Sequence, residues 1–281
     1  MLGKQSKLIY GTAWKEHRTA DLVEMAVLNG FRAIDTACQP KHYNEAGVGE
    51  ALQRLYTKHG MKRNDLFVQT KFSPLEAHDG SRIPYDPNAP LGEQVKQSFA
   101  VSKKNLGTDY LDSLVIHSPL RDFTSLMQVW RAMEDIAKAG GALQLGISNC
   151  YDLSVLQRLY HESAVKPAVV QNRFYEDSGY DVEIRKFCQQ NDIRYQSFWT
   201  LTANPHILES SIVLQIAGSR NRTPVQIFFR YLTMIGVDPL TGTKSESHMR
   251  EDLDIFSFTL DLEEIKALKQ VVQLKFELNN M

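Results

Sequence analysis

The sequence predicts an α/β fold, a (β/α)8 (TIM) barrel that forms a single domain over residues 1–281. Short runs of β-branched and aromatic residues alternate with segments of helical periodicity, which indicates a parallel sheet covered by helices. The length of 281 residues suits one such barrel, since a barrel takes about 250 residues. No glycine-rich GxGxxG turn follows the first clear strand, so an open doubly wound sheet is the less favoured architecture.

Seven clear strands and an eighth, weaker one are predicted along the chain. They are Phe31–Asp35, Leu66–Phe72, Leu111–His117, Ala142–Ser148, Ala168–Asn172, Arg194–Trp199, Val237–Thr241 and the weaker Ile255–Leu260. Helical periodicity occupies segments between them, including Ala20–Asn29, Glu45–Lys58, Leu91–Asn105, Ser125–Ala139 and Leu153–Glu162. Glycines such as Gly30, Gly60 and Gly107 follow these segments, where helices are expected to end.

Composition and charge exclude several classes of protein. The 32 basic and 33 acidic residues nearly cancel, so no general attraction to nucleic acid or to an anionic membrane is expected. No run of about 18 apolar residues predicts a membrane span, and no signal-peptide pattern is seen. Cys38, Cys150 and Cys188 are widely spaced and odd in number, which argues against disulfides and a zinc site. We expect a cytoplasmic protein without a metal, and nothing demands more than a monomer.

Polar residues follow the predicted strands, at the end where barrel enzymes carry out their chemistry. Read in chain order, these strand ends are Asp35, Lys71, His117, Ser148–Asn149, Gln171–Asn172 and Lys244–Ser245. Each has an ordinary structural explanation when taken alone, since an aspartate after a strand often caps the next helix. Their recurrence in register predicts a functional site at one mouth of the barrel.

Several segments together resemble the aldo-keto reductase family. GFRAIDTACQPKHYNEAGVGEAL is similar to the family signature, FVQTKF to its active-site lysine segment, and DYLDSLVIHSP to the strand with its catalytic histidine. LQLGISNC and VVQNRFY resemble two segments that hold the nicotinamide, and the matches run from Gly11 to about Leu260. The resemblance implies an NADPH-dependent oxidoreductase that reduces an aldehyde or ketone to an alcohol by hydride transfer.

The resemblance also implies a catalytic role for four residues. Tyr43 would be the general acid, Lys71 the cation that tunes it, Asp35 the partner of Lys71, and His117 the group that orients the carbonyl oxygen. A tyrosine has an unperturbed pKa near 10, and a nearby buried ammonium should lower it. An Asp–Lys pair on adjacent strands is a reasonable buried arrangement. The plainer alternative is a salt bridge with only a structural role.

One spacing departs from the family pattern. Tyr43 lies eight positions after Asp35 and directly precedes Asn44, whereas the family spacing would place Pro40 at the acid position. The loop CQPKHY is therefore longer, and Tyr43 is the preferred acid. His42 is the alternative, because histidine titrates near neutrality. His42 and Trp14, in the segment YGTAWK, are expected in the substrate pocket.

The expected NADP(H) site draws on three parts of the chain. Its predicted residues are Thr12, Ser148, Asn149, Gln171, Phe198, Leu201, Lys244, Ser245, His248, Arg250, Glu251 and Asp252. By resemblance, Ser148, Asn149 and Gln171 hold the carboxamide, and Phe198 stacks on the nicotinamide ring. Lys244 and Ser245 bind the 2′-phosphate together with either Arg250 or His248, and Glu251 and Asp252 lie near adenine. The ordinary alternative for Phe198 and Trp199 is barrel packing.

Short connecting segments imply an open pocket for a small carbonyl substrate. The N-terminal segment, the loop SPLRDFTS after His117 and the tail QLKFELNNM are all brief, and the family's longer loops usually shape substrate choice. Two other functions compete. One is a catalytically weak NADP(H)-binding regulatory or interaction subunit, suggested by the altered spacing before Tyr43. The other is a glycosidase-like hydrolase with paired carboxylates, which is poorly supported because Asp35 alone is acidic among the clear strand ends.

Overall fold

Eight parallel strands close into a barrel in chain order, and each strand is hydrogen-bonded to the next. The computed structural model describes residues 7–80 and 82–278, with side chains to residue 272. The strands are β1 Ile9–Gly11, β2 Ala33–Asp35, β3 Phe67–Phe72, β4 Ser113–Ile116, β5 Leu145–Ser148, β6 Val169–Arg173, β7 Arg194–Phe198 and β8 Val237–Thr241. The predicted (β/α)8 barrel is confirmed.

Helices cover the outside of this barrel. They are α1 Thr19–Asn29, α2 Glu45–His59, α3 Leu91–Leu106, α4 Phe123–Lys138, α5 Leu153–Glu162, α6 Val182–Gln190, α7 Pro205–Leu208, α8 Ser211–Arg220, α9 Pro224–Met234, α10 Glu246–Leu253 and α11 Leu262–Leu278. The strands are buried on both faces, as in β4, where every residue is buried. Such strands read as continuous apolar runs, which explains why they were found from the sequence.

The prediction of an eighth strand at Ile255–Leu260 is wrong. The barrel is closed instead by β1, which pairs with β2 on one side and β8 on the other. The segment Asp254–Ser257 forms a 3-10 turn, and its apolar residue Ile255 is buried. The apolar residues of this segment therefore pack outside the sheet. Strand β1 was not predicted because it is only three residues long and gives a weak periodic signal.

The connecting segments are partly as expected. The link between β4 and α4 is short, since the strand ends at Ile116 and the helix begins at Phe123. The tail predicted after the last helix is instead mostly helical, because α11 continues to Leu278. Residues 1–6 of the expected short N-terminal segment lie outside the described residues. None of the helices in the described ranges is long and apolar enough to cross a membrane.

The start of α2 is anchored inside the protein, which positions the residues just before it. Asn44 caps the helix by accepting a hydrogen bond from Gly47 N at 3.0 Å. Glu45 is buried and accepts hydrogen bonds from Thr70 Oγ1 at 2.5 Å and Asn105 Nδ2 at 3.0 Å. Since Thr70 lies in β3 and Asn105 in α3, these bonds tie α2 to both. The residue before Asn44 is thereby held near the barrel mouth.

Candidate active site

A buried ion pair lies at the carboxyl ends of β2 and β3. Lys71 Nζ donates to both carboxylate oxygens of Asp35 at 2.6 Å and to Thr36 O at 2.9 Å. The side chains of Lys71 and Asp35 are 1% and 3% exposed. The ammonium is therefore shielded from solvent, and its interactions are mainly with these oxygens. Burial lowers the pKa of Lys71, and the carboxylate of Asp35 opposes that shift. The pairing expected from the sequence is present.

Three buried glutamines complete the surroundings of Asp35. Gln69 Nε2 and Gln171 Nε2 donate to Asp35 Oδ1 at 2.8 and 3.0 Å. Both also donate to Gln196 Oε1, at 2.7 and 2.9 Å. The carboxylate thus has amide partners in addition to Lys71, which offsets part of the free-energy penalty of burying a charge. Gln69 and Gln196 carried no signal in the sequence, because glutamine in a strand usually indicates an exposed position.

Tyr43 lies over this pair. Lys71 Nζ is 5.3 Å from the centroid of the Tyr43 ring, and the Tyr43 and His117 rings meet edge to face with centroids 5.8 Å apart. No hydrogen bond to the Tyr43 hydroxyl is found within the described residues. The Tyr43 ring therefore lies beside both the ammonium of Lys71 and the imidazole of His117.

The longer loop between Asp35 and Tyr43 is folded back by hydrogen bonds. Tyr43 N donates to Gln39 O at 3.0 Å, and Cys38 N donates to Lys71 O at 3.1 Å. The side chain of Gln39 donates to Ala77 O at 2.7 Å. The extra residues form a turn, so the altered spacing does not remove Tyr43 from the site.

His42 occupies a different place from Tyr43. Its ring lies against that of Trp14 with centroids 4.1 Å apart, and Trp14 N donates to His42 O at 2.8 Å. Trp14 is 54% exposed and lies in the left-handed backbone region with φ 60°. The two residues expected in the substrate pocket are therefore in contact with each other.

His117 is held in its neutral form. Its Nδ1 shares a hydrogen bond with Ser73 Oγ at 2.7 Å, and its carbonyl accepts from Asn149 Nδ2 at 2.8 Å. Burial moves the pKa of His117 well below its usual value, and the ammonium of Lys71 adds to the shift. When the serine hydroxyl donates to Nδ1, the proton of the neutral ring lies on Nε2. Ser73 was not singled out from the sequence.

The expectation that Lys71 lowers the pKa of Tyr43 is not met. Burial raises the pKa of Tyr43, and the negative charge of Asp35 raises it further. The reason is visible in the ion pair, since the charge of Lys71 is balanced by the carboxylate that it contacts. Tyr43 therefore keeps its proton at neutral pH, which is the form a general acid needs.

The residues expected to hold the nicotinamide lie together at the ends of β5, β6 and β7. Ser148 Oγ donates to Gln171 O at 2.6 Å, and Asn149 N donates to the same carbonyl at 3.1 Å. The amide nitrogen of Gln171 is directed toward Asp35 rather than outward. Phe198 and Leu201 are half-buried at the end of β7 and in the turn that follows it. Thr12 directly follows β1 and is buried, and its Oγ1 donates to Asp35 O at 2.9 Å.

Basic residues collect at the loop after β8. Lys244 is exposed, Ser245 caps α10 by accepting from His248 N at 3.4 Å, and Arg250 is exposed on the same helix. An open groove of about 520 Å³ beside α10 is lined by Asn221, Arg222, Thr223, Gln226, Arg250, Glu251 and Asp254. Arg250 and Glu251 thus line the groove, and His248 does not.

Two residues near this loop differ from the sequence-based expectation. Asp252 does not reach the groove, because it is buried and accepts a hydrogen bond from Thr241 Oγ1 at 2.7 Å. Burial raises the pKa of Asp252 to about 6. Lys15 was not predicted; it is 2% exposed and donates to Gly242 O at 2.8 Å. Burial, with the charges of Lys244 and Arg18, lowers the pKa of Lys15 to about 8.

The barrel and the polar groups at its mouth define a (β/α)8-barrel protein with an enzyme-like site at the carboxyl ends of its strands. A family model described as the aldo/keto reductase family matches residues 3–211. The chain belongs to the aldo-keto reductase family. Members of this family are oxidoreductases, and their cofactor is NADP(H).

Individual relatives agree with this assignment. A glyoxal reductase of Bacillus subtilis is 29% identical over 258 residues, which cover 90% of this chain and 84% of that protein. A D-galacturonate reductase of Fragaria ananassa is 28% identical over 289 residues, with 95% and 85% of the two chains covered. The crystal structure of an aldo/keto reductase from Brucella melitensis superposes with a TM-score of 0.79 at 28% identity, covering 94% of each chain.

The donor set of this site fits NADP(H). The cations Lys15 and Lys244 lie near each other at the loop after β8, which suits phosphate groups. The neutral side chains of Ser148 and Asn149 suit a carboxamide. No group of three or more His, Cys, Asp or Glu side chains placed to hold a metal ion occurs in the ranges that the structure describes.

The ion pair makes a prediction about stability. Lys71→Met leaves the carboxylate of Asp35 buried without its cation, so we expect the free energy of unfolding to fall by about 3–5 kcal/mol. The double variant Asp35→Asn/Lys71→Met removes both charges and should be more stable than Lys71→Met alone. Urea unfolding at neutral pH measures both differences.

Lys96→Met provides the control, since Lys96 pairs with Glu93 on the surface, where both side chains are more than half exposed. Its unfolding midpoint should stay close to that of the wild type. The single variant Asp35→Asn completes the cycle. If the double variant loses as much stability as Asp35→Asn and Lys71→Met together, Asp35 and Lys71 are not energetically coupled.

Proposed function

We propose that the protein is an NADPH-dependent carbonyl reductase, which converts an aldehyde or ketone to an alcohol with Tyr43 as general acid. The observation that carries the proposal is the meeting of the Tyr43 phenol, the His117 imidazole and the Lys71–Asp35 pair at one mouth of the barrel. A proton donor, a neutral hydrogen-bond donor and a cation are what a carbonyl oxygen requires as it gains negative charge.

Residues on both sides of the mouth would hold the cofactor. Ser148, Asn149 and Gln171 would bind the carboxamide, and Phe198 would lie against the nicotinamide ring, with Thr12 and Leu201 alongside. Lys244, Ser245 and Arg250 would bind the 2′-phosphate, with Lys15 as a further cation near Lys244. Glu251 lines the groove where adenine would lie. When bound, NADPH supplies the hydride.

The protein's own residues would handle the carbonyl oxygen and the proton. His117 Nε2–H, fixed by the Ser73 hydroxyl at Nδ1, donates a hydrogen bond to the oxygen and orients it. Tyr43 then transfers its hydroxyl proton to that oxygen, which becomes the alcohol hydroxyl. The transfer leaves a phenolate on Tyr43, whose ring centroid lies 5.3 Å from Lys71 Nζ.

The wider context is also part of this proposal. Two relatives carry the names glyoxal reductase and D-galacturonate reductase, which supports a small carbonyl compound as substrate. A cytoplasmic monomer is proposed on the sequence alone. The alternative of a catalytically weak NADP(H)-binding subunit is not favoured, because the longer loop still leaves the Tyr43 ring 5.8 Å from that of His117.

Tyr43→Phe tests the identity of the acid. Single-turnover oxidation of NADPH by a reactive aromatic aldehyde should slow by about 100-fold or more, since general acid catalysis contributes about that factor. The NADPH dissociation constant should stay near that of the wild type, because the hydroxyl is not assigned to cofactor binding.

His42→Ala is the matched control on the neighbouring residue. It should retain hydride transfer, since His42 lies against Trp14 rather than against Lys71. Loss of transfer in His42→Ala with full activity in Tyr43→Phe would reverse the assignment. A wild-type protein that binds NADPH but reduces no carbonyl compound would support the non-catalytic alternative.

Lys244→Gln tests the preference for NADPH. Loss of one charged hydrogen bond to the 2′-phosphate should raise the NADPH dissociation constant by about 10- to 100-fold. NADH lacks that phosphate, so its dissociation constant should change little. Fluorescence titration of both cofactors measures the two effects, and Lys266→Gln, at an exposed site on α11, serves as control. Equal weakening of NADH and NADPH would contradict the assignment.

A further inference from the structure

Arg173 projects into the barrel mouth. Side chains alternate along a strand, and on β6 the amide of Gln171 reaches Asp35 inside the barrel whereas Asn172 Nδ2 donates to Asp181 on the outside. Arg173 therefore lies on the same side as Gln171, one pleat closer to solvent. It pairs with Phe198 in the register of β6 and β7.

The guanidinium of Arg173 is fixed by aromatic rings rather than by an acid. Its central carbon lies 4.1 Å from the centroid of the Trp199 ring and 5.1 Å from that of Tyr175. Trp199 is 52% exposed, so the rings form an open clamp. Across the described residues Arg173 forms no ion pair with a carboxylate, and its Nε is buried without a hydrogen-bond partner.

This clamp adjoins the catalytic group. Tyr151 OH accepts a hydrogen bond from Arg173 N at 3.1 Å and donates to Asn149 Oδ1 at 3.3 Å. Asn149 in turn donates to the carbonyl of His117. Since only β5 separates β4 from β6, the ends of these two strands lie about 10 Å apart. An aromatic or similarly sized substrate could span that distance.

We propose that Arg173 binds an anionic group of the substrate, so that the enzyme prefers aldehydes or ketones that carry a carboxylate. The inference rests on the proposed carbonyl reduction and names its substrate class. A planar guanidinium matches a carboxylate with two parallel hydrogen bonds. Its fixation between rings means that little conformational freedom is lost on binding, and Tyr151 and Trp199 offer apolar surface to the substrate body.

The cofactor's phosphates are the other source of an anion at this mouth. The basic residues assigned to them include Lys15, which lies in the segment after β1, and Lys244, which lies after β8. Arg173 lies at the end of β6, two strands before β8. The separation favours the substrate as the partner of Arg173, and the experiment below distinguishes the two sources.

Reduction of 4-carboxybenzaldehyde and its neutral methyl ester, methyl 4-formylbenzoate, tests the preference. The ratio of the two kcat/KM values should favour the acid in the wild type. It should fall by about 10- to 100-fold in Arg173→Gln, because a charged hydrogen-bond pair is lost. Arg173→Lys keeps the charge without the planar fork and should give an intermediate ratio.

Arg158→Gln is the matched control. Arg158 also lies against a ring, 3.9 Å from the centroid of Phe123, but its charge is paired with Glu162 on α5. Its acid-to-ester ratio should equal that of the wild type. A wild-type ratio near one, or an unchanged ratio in Arg173→Gln, overturns the proposal.

A binding measurement separates failure of this inference from failure of the proposed function. Calorimetry compares 4-(hydroxymethyl)benzoate with its methyl ester, both titrated into the enzyme–NADPH complex, where no reduction can occur. Tighter binding of the anion that is lost in Arg173→Gln supports the assignment even if neither aldehyde is turned over. If Arg173→Gln instead weakens NADPH and leaves the anion-to-ester ratio unchanged, Arg173 faces the cofactor and the proposal is wrong.

Discussion

The buried pair of Lys71 and Asp35 is the interaction on which the rest of the site depends. It links the side chains at the ends of β2 and β3, and the amides of Gln69 and Gln171 donate to the same carboxylate. Burying two charges carries a desolvation penalty, so this ion pair is better explained by the positions that it gives to the side chains of the site than by a gain in stability. The Lys71 ammonium lies 5.3 Å from the centroid of the Tyr43 ring. Its positive charge adds to the effect of burial in lowering the pKa of His117, which keeps that ring neutral.

The fold could be predicted because a parallel barrel is periodic. Buried strands such as β4 read as apolar runs, and the polar residues that follow them mark one mouth. Strand β1 was missed since three residues give little pattern, and Ile255–Leu260 was misread because burial against helices resembles burial in a sheet. Local periodicity does not report which partner covers an apolar run.

The site residues that directly follow strands could be predicted from the sequence. Contacts between residues that are distant in the sequence could not. Asp35, Lys71 and His117 are strand ends, so their meeting follows from topology. The contact between Ser73 and His117, and the closeness of Lys15 to Lys244, join distant positions without any motif. The direction of the Tyr43 pKa was mistaken for the same reason, since the balancing charge of Asp35 is a matter of geometry.

The pH dependence of hydride transfer tests the central claim most directly. Single-turnover rates at saturating NADPH and aldehyde should vary by less than about threefold between about pH 6 and 9. Burial lowers the pKa of His117 well below its ordinary value of about 6.5, so its ring stays neutral. Burial also raises the pKa of Tyr43 above its ordinary value of about 10, so its phenol keeps its proton. A rate that falls about tenfold per pH unit on either side of neutrality would contradict the account. It would show that His117 takes up a proton, or that Tyr43 or Lys71 loses one, within the working range.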